Sequence, residues 1–246
     1  MNSNAKCRAI GINLLNRRLW NKIVFIVSIL FATLTGLRCN HQVRYGTQET
    51  AIAKVKKLGG SVEIDKRNPE SPAITVLISE AKISDAELDF LRDLNGLQTL
   101  DLQWTKIHGQ GLIHLKDMTS LKRLRLHHCP ITDAGMKQIK ELTSLIELDV
   151  GHSFITDKGL AYIGQMKGLQ DLCLCDTEIT DAGLKNLKEL QELRHLYIHD
   201  TNISDAGLEH LKVLRKLGQV DTSNTKCTQA GLAQLEDVLA RNRKNR

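Results

Sequence analysis

Apolar residues recur at a fixed interval of 24 positions through residues 73–240, as Leu100, Leu124 and Leu148 illustrate. The clearest unit spans residues 169–192 and reads LQDLCLCDTEITDAGLKNLKELQE. Its leucines at 172 and 174 are two residues apart, which predicts a short strand with both side chains facing inward. By the same alternation, we expect Cys173 and Cys175 to face outward. Seven such units fill residues 73–240, and the first and last of them match the pattern least well.

The second half of each unit has the periodicity of a short helix. In the clearest unit its apolar residues follow at three-residue spacing: Leu184, Leu187 and Leu190. We expect the Thr180 hydroxyl to cap the first N–H groups of this helix, and the charge of Asp181 to favour its positive end. Gly183 lies in the first helical turn, where glycine destabilises a helix by about 1 kcal/mol relative to alanine. Its recurrence predicts close backbone packing, either between successive units or of each helix on its own strand.

The pattern LxxLxLxxT-x-I-T-D-x-G-L resembles a leucine-rich repeat over residues 73–240. It is most similar to the cysteine-containing subclass of F-box substrate receptors and to a large group of bacterial repeat proteins. The ninth position, where this subclass has cysteine, is Cys129 in one unit and threonine or serine in most others. The resemblance implies a curved α/β solenoid with parallel strands on the concave face and short helices on the convex face. Stacked units of this kind share one continuous core.

The N-terminal part of the chain has the composition of a targeting segment. Residues 1–22 are polar and basic, and residues 23–37 form the apolar run IVFIVSILFATLTGL. This order predicts a signal peptide or a signal anchor. The excess of positive charge before the run predicts a cytoplasmic N-terminus and repeats beyond the membrane. We therefore expect an exported protein (periplasmic, cell-surface or secreted) or a single-pass protein anchored in the membrane through residues 23–37.

Three further segments flank the repeats. Residues 38–47 are predicted to be a linker, and residues 48–72 a helix and strand that cap the first repeat. Residues 241–246 form a basic tail. The formal net charge of +6 arises from basic residues at the two ends of the chain, so residues 46–240 carry an excess of acidic residues. This distribution argues against nucleic acid as a partner of the repeats.

The predicted function is non-enzymatic recognition of a protein through the outward strand positions, which form columns across the sheet because adjacent strands lie about 4.8 Å apart. A glycan is the other partner considered. We expect Trp104, Arg125, Tyr197 and the histidines to be the main anchors. The predicted binding face comprises Asp101, Gln103, Trp104, Arg125, His127, His128, Asp149, His152, Cys173, Cys175, Asp176, Tyr197, His199 and Asp200. Four histidines among these residues suggest that binding depends on pH near about 6.5.

Three alternatives follow from the same residues. The first is a metal site formed by Cys173, Cys175, His199 and His152, with Asp176 or Asp200 as a further ligand or as a hydrogen-bond partner of a ligand. A flat strand face does not readily surround an ion, which favours plain recognition and no cofactor. The second is a catalytic Cys175 beside His199 and Asp200, but the sequence has no nucleophile elbow or glycine-rich phosphate loop. The third is a ubiquitin-ligase substrate receptor, although residues 1–47 contain a membrane-type segment where an adaptor-binding domain would be expected.

The two cysteines of the clearest unit also raise the question of a disulfide. Cys173 and Cys175 lie on the same side of one predicted strand, where we expect them to be too far apart for an unstrained bond.

Overall fold

The structure is a computed structural model that describes residues 47–68 and 72–244. The predicted basic segment, the apolar segment 23–37 and the linker up to residue 46 lie outside the described residues. Within the described ranges, no helix is both long and apolar enough to cross a membrane.

The predicted α/β solenoid is confirmed by a sheet whose strands follow the order of the sequence. Helix α1 (Gln48–Lys57) and strand β1 (Ser61–Ile64) precede the repeats, and β1 pairs antiparallel with the first repeat strand. The repeats supply seven parallel strands: β2 (Ala73–Leu77), β3 (Thr99–Asp101), β4 (Arg123–Arg125), β5 (Glu147–Asp149), β6 (Asp171–Cys173), β7 (His195–Tyr197) and β8 (Gln219–Asp221). Residues 24 positions apart stand directly opposite each other, as Leu124 does to Leu148.

The second half of each repeat is helical, but the type of helix varies from one coil to the next. The first two coils contain 3₁₀ helices, Asp85–Asp93 and Gln110–Leu115. The remaining helices are α2 (Asp133–Ile139), α3 (Asp157–Ile163), α4 (Asp181–Leu184) with a 3₁₀ continuation Lys185–Glu189, α5 (Asp205–Leu211) and α6 (Gln229–Lys244). A three-residue spacing of apolar side chains keeps them on one side of either helix type, so the sequence pattern did not distinguish the two.

The core is a continuous column of leucine-type side chains, including Leu100, Leu124 and Leu172, which are fully buried. Each contributes about 1.5–3 kcal/mol by leaving water. The ninth repeat position is also buried and polar in most coils. There the Thr177 hydroxyl donates to the carbonyl of Leu174 at 2.6 Å, and Thr105 does the same to Leu102 at 2.7 Å. These hydroxyls remain satisfied inside the core, as buried polar groups must be.

The aspartate that starts most of the repeat helices hydrogen-bonds to the next coil. The hydroxyls of Thr156 and Ser204 cap their own helices, but the cap predicted for Thr180 is not formed. The Thr180 hydroxyl accepts no hydrogen bond from the N–H groups of its own helix. Its hydroxyl donates instead to Asp157 Oδ2 of the preceding coil at 2.7 Å, and its N–H donates to Asp157 Oδ1 at 2.8 Å. The same pair of hydrogen bonds joins three further coil boundaries: Asp133 to Thr156, Asp181 to Ser204 and Asp205 to Thr228.

The recurring glycine allows this contact between coils. A Cβ atom added to Gly183 would lie 2.1 Å from Asp157 Oδ1, and one added to Gly207 would lie 2.4 Å from Asp181 Oδ1. Of the two explanations that the sequence left open for this glycine, the structure therefore supports packing between successive coils.

Candidate functional site

The solvent side of the parallel sheet carries the predicted binding residues, and we call it the strand face. Each coil contributes two outward strand residues and two residues of the turn that follows, which in the third coil are Arg123, Arg125, His127 and His128. Sequence reasoning missed the first of these columns, which comprises Thr75, Thr99, Arg123, Glu147, Asp171, His195 and Gln219. The alternation that identified Arg125 as outward also applies two residues earlier, so the signal was present in the sequence.

The last column of the strand face has an unusual backbone. Its residues adopt positive φ angles without being glycine: Glu80, Trp104, His128, His152, Asp176, Asp200 and Asn224. The left-handed region costs about 1–2 kcal/mol for most L-residues. Except in the last coil, the N–H groups of this column continue the sheet ladder: that of Trp104 donates to the carbonyl of His127 at 2.9 Å and that of His128 to Gly151 at 3.0 Å. The ladder therefore holds these side chains in a row.

An aromatic stack occupies the N-terminal part of this row. Trp104 and His128 stack with ring centroids 3.5 Å apart, and His128 and His152 stack at 3.9 Å. His127 meets both histidines edge-on, with its ring centroid 4.6 Å from that of His128 and 4.9 Å from that of His152. At the end of the stack, His152 Nδ1 lies 2.7 Å from Asp176 Oδ2. Trp104 nevertheless remains 55% exposed, so a large ordered aromatic surface faces solvent.

The pKa values of His128 and His199 are shifted in opposite directions. Desolvation lowers the pKa of His128, and positive charge on His152 and His127 lowers it further. A hydrogen bond from the His199 ring to Asp200, at 2.8 Å, raises the pKa of His199. Asp200 also accepts a hydrogen bond from Asn224 at 3.0 Å. His199 is therefore protonated at a higher pH than His128.

Arg125 is held by carboxylates from its own face. Its Nε donates to Glu147 Oε1 at 2.8 Å, and its Nη1 lies 4.0 Å from Asp101 Oδ2. Asp101 is only 8% exposed, which corrects its predicted place on the accessible face. Gln103 covers it, because the Gln103 side chain donates to Asp101 Oδ2 at 2.8 Å and its backbone N–H donates to Oδ1 at 3.1 Å. Gln103 therefore satisfies hydrogen-bond acceptors of Asp101, and Asp101 adds a second carboxylate near Arg125.

Tyr197 is half-buried and lies in the same outward column as Asp101 and Arg125. With Cys173, Asp149 and Glu147 it borders an open depression between strands β5 and β7. Asp171 also lines this depression and binds His195 through a short contact.

The two cysteines are less exposed and closer together than the sequence predicts. Cys175 is 2% exposed, so its predicted outward position is wrong as regards solvent contact. The physical reason is its neighbour Gly151, which has no side chain and leaves a space that the Cys175 sulfur fills. The Sγ atoms of Cys173 and Cys175 lie 3.1 Å apart, although both residues are free thiols. This hydrogen bond lowers the pKa of Cys175 and raises that of Cys173.

Potential metal-ligating atoms converge in two groups on this face. His127, Cys173 and Cys175 have ligand atoms within 4.8 Å of one another, and so do His127, His128 and His152. The set predicted from the sequence shared the two cysteines but combined them with His199 and His152. The structure places His127 beside the cysteines instead, and Asp149 Oδ1 lies 3.2 Å from His127 Nδ1.

Comparisons with known proteins place these coils in a known class of repeat. The family described as Leucine Rich repeat matches residues 96–115, 117–140 and 141–164. The solved structure of internalin C2 from Listeria monocytogenes is similar, with a TM-score of 0.52 and 20% identity over 75% of this chain and 88% of that one. A plant peptide hormone receptor, RGFR1 in complex with RGF2, aligns with a TM-score of 0.43 and 18% identity over 56% of this chain and 22% of that one. No curated protein gives a significant match.

Proposed function

Because the chain is a leucine-rich-repeat protein, we propose that it is a non-enzymatic binding protein that recognises a protein partner through its strand face. The observation that carries this proposal is Trp104, which is 55% exposed and yet ordered by its stack on His128 at 3.5 Å. A rigid exposed tryptophan offers a large contact area at low entropic cost, and tryptophan, tyrosine and arginine dominate the energetics of protein interfaces.

The charge of the strand face indicates the chemistry of the partner. From the fourth coil onward its outward residues include these carboxylates: Glu147, Asp149, Asp171, Asp176, Asp200 and Asp221. The nearest arginines do not neutralise the rest of these carboxylates, because Arg123 and Arg125 both bind Glu147. Their Nε–O distances are 3.3 and 2.8 Å. We therefore propose a partner that places lysine or arginine opposite this acidic half and an apolar group against Trp104. Such an interface associates faster at low salt.

We propose no catalytic role because of the position of the Cys175 thiol. Cys175 is 2% exposed and its sulfur is covered by neighbouring side chains, so it is poorly placed to attack a substrate. The depression beside it is open, whereas small-molecule sites enclose most of their ligand.

We also propose that the repeats lie on the non-cytoplasmic side of a membrane. Support comes from the order of the basic residues 1–22 and the apolar residues 23–37. Export is tested by fractionating cells that produce the full chain with a C-terminal tag and adding protease to intact cells. Protection of the tagged repeats both in intact cells and in cells whose outer membrane has been opened, with digestion only after complete lysis, would contradict export.

The binding proposal is tested by affinity capture with the full chain as bait, from both membrane and soluble fractions. The test variant combines Trp104→Ala, Arg125→Ala and Tyr197→Ala. The matched control combines Phe154→Ala and Val213→Ala, which are 60% and 52% exposed and lie outside the strand face. Circular dichroism and thermal unfolding establish that both variants are folded.

We expect a partner that both wild type and control retain and that the folded test variant loses. Retention by the test variant would place binding on another surface. If capture survives protease treatment of the cell fractions but is lost after glycosidase treatment, the partner is a glycan. This result would overturn the proposed partner class.

A further inference from the structure

A gap in one column of the strand face brings donor atoms from non-adjacent coils together. His127, Gly151 and Cys175 occupy equivalent positions in three successive coils, so His127 and Cys175 are two strand spacings apart, or about 9.6 Å. Their ligand atoms nevertheless lie within 4.8 Å of each other. The glycine between them is the reason: a Cβ on Gly151 would lie 2.5 Å from Cys175 Sγ and 2.7 Å from His127 Nδ1. The two side chains therefore meet above Gly151.

The third donor comes from the neighbouring column. Cys173 Sγ lies 3.1 Å from Cys175 Sγ, and both sulfurs belong to the group within 4.8 Å that includes His127. We propose that His127, Cys173 and Cys175 bind one zinc ion on the strand face. Two thiols and an imidazole form a donor set typical of zinc with three protein ligands, in which the fourth position is open to water or to another ligand. Calcium and magnesium prefer oxygen ligands and are disfavoured here.

Zinc binding requires only a small movement of the two cysteine sulfurs. Two thiolates bound at about 2.3 Å to a tetrahedral zinc ion lie about 3.8 Å apart, so the sulfurs must separate by less than about 1 Å. Binding converts the two thiols to thiolates and releases two protons to solvent, while the neutral His127 imidazole donates its lone pair.

Asp149 is placed to orient the histidine ligand. Its Oδ1 lies 3.2 Å from His127 Nδ1 and also accepts the Gly151 N–H at 3.1 Å. A carboxylate bound to the imidazole is the usual support of a metal-ligating histidine, because it fixes both the tautomer and the ring orientation. Because the Nδ1–H donates to Asp149, the proposal requires Nε2 of His127 as the nitrogen that binds zinc, with Asp149 as a positioning residue.

The neighbouring histidine group is a weaker candidate for the same ion. The rings of His128 and His152 are stacked 3.9 Å apart and nearly parallel, at 17°. Since the nitrogen lone pairs of an imidazole lie in the ring plane, stacked rings direct them side by side and not toward a common point. The two cysteines are therefore what distinguishes the proposed site.

The experiment measures zinc affinity of the full chain, purified in a non-thiol reductant, by competition with a chromophoric chelator. Cobalt(II) serves as a spectroscopic probe, since thiolate ligation gives a charge-transfer band. The test variants are Cys173→Ser, Cys175→Ser and Gly151→Ala. In the matched control, Cys129→Thr introduces the residue found at the same repeat position in Thr105 and Thr177, and Cys7, Cys39 and Cys227 become serine.

We expect wild type and control to bind one equivalent of zinc with equal affinity and to show the thiolate–cobalt band. Each cysteine variant should lose the band and bind at least about 100-fold more weakly, since even residues outside the ligand shell change affinity 10- to 100-fold. Gly151→Ala should weaken binding while leaving both thiols in place, which separates the geometry of the site from its cysteine content.

Two results would overturn the proposal. Wild type without the thiolate–cobalt band, or cysteine variants with wild-type affinity, would place the ion on the histidine group or elsewhere. A control that loses zinc as the test variants do would assign binding to the other cysteines. Thermal unfolding of each variant without metal identifies any loss that is due to misfolding. A failure of this proposal leaves protein recognition by the strand face unaffected.

Discussion

Asp157 accepts two hydrogen bonds from Thr180, a residue of the next coil, through the Thr180 N–H at 2.8 Å and the Thr180 hydroxyl at 2.7 Å. The carboxylate therefore joins two successive helix starts. The contact repeats along the solenoid at equivalent residues, so this aspartate acts as a clamp between coils and not only as a partner of its own helix.

Replacing this carboxylate should destabilise the folded chain. Asp157→Ala removes both acceptors, and we expect the free energy of unfolding to fall by about 1–2 kcal/mol, the range for hydrogen bonds to a partly exposed charged group. Urea unfolding monitored by circular dichroism measures the change. Asp117→Ala, at an exposed aspartate in a turn, is the matched control and should change stability by less than about 0.5 kcal/mol. Equal effects of the two substitutions would exclude the clamp.

The glycine beneath the clamp should not tolerate a side chain. Alanine would favour the helix at Gly183 by about 1 kcal/mol, but the added Cβ would lie 2.1 Å from Asp157 Oδ1. We expect Gly183→Ala to destabilise the protein by about 1–3 kcal/mol because the clamp must shift. At Gly218 the added Cβ would meet its nearest atom, the Arg194 carbonyl oxygen, at 3.6 Å, so Gly218→Ala is the control. Thermal unfolding of both variants decides whether the steric conflict or the higher helix propensity of alanine determines the effect at Gly183.

The interaction of His199 with Asp200 should make stability depend on pH. Because the folded-state pKa of His199 is raised, its contribution to stability is fully present below the unfolded pKa of about 6.5. The contribution is lost as pH rises through the higher folded-state value. We expect His199→Gln to flatten the pH dependence of the unfolding midpoint in this window, whereas His210→Gln, on helix α5, should leave it unchanged. A wild-type slope that survives His199→Gln would contradict this assignment.

Protonation of the aromatic stack should weaken partner binding. His128 lies between Trp104 and His152, and its lowered pKa means that it becomes charged only in mildly acid solution. A charged His128 would repel protonated His127 and His152 and disturb the surface that Trp104 presents, although Asp149 and Asp176 partly offset this effect. We expect affinity for the captured partner to fall as pH decreases from about 7.5 to about 5.5.

This mechanism is tested by a variant that keeps an aromatic ring at position 128 but cannot be protonated there. His128→Phe should retain binding at neutral pH and lose much of the pH dependence, because an aromatic ring is already accommodated at the same φ by Trp104. Surface plasmon resonance at the two pH values measures both effects. Unchanged pH dependence in His128→Phe would move the titrating group to another histidine.

The sequence by itself determined the repeat period, the strand positions and the inward leucines. These features follow from local alternation: a period of two on Leu172 and Leu174 and a spacing of three on the helix determine which side each residue faces, whatever its neighbours are. The α/β solenoid then follows, since single repeats cannot bury their leucines alone. The sequence also placed Trp104 and His128 on one column.

The tertiary structure decided what happens between coils. The partner of Thr180, the burial of Cys175 above Gly151 and the approach of His127 to the thiols all depend on side chains one or two coils away. Repeat spacing identifies such neighbours but not how far each side chain reaches into the space that a glycine leaves. Close packing in three dimensions therefore determined the clamp and the donor cluster, because both arise where one coil lacks a side chain and the next fills the gap.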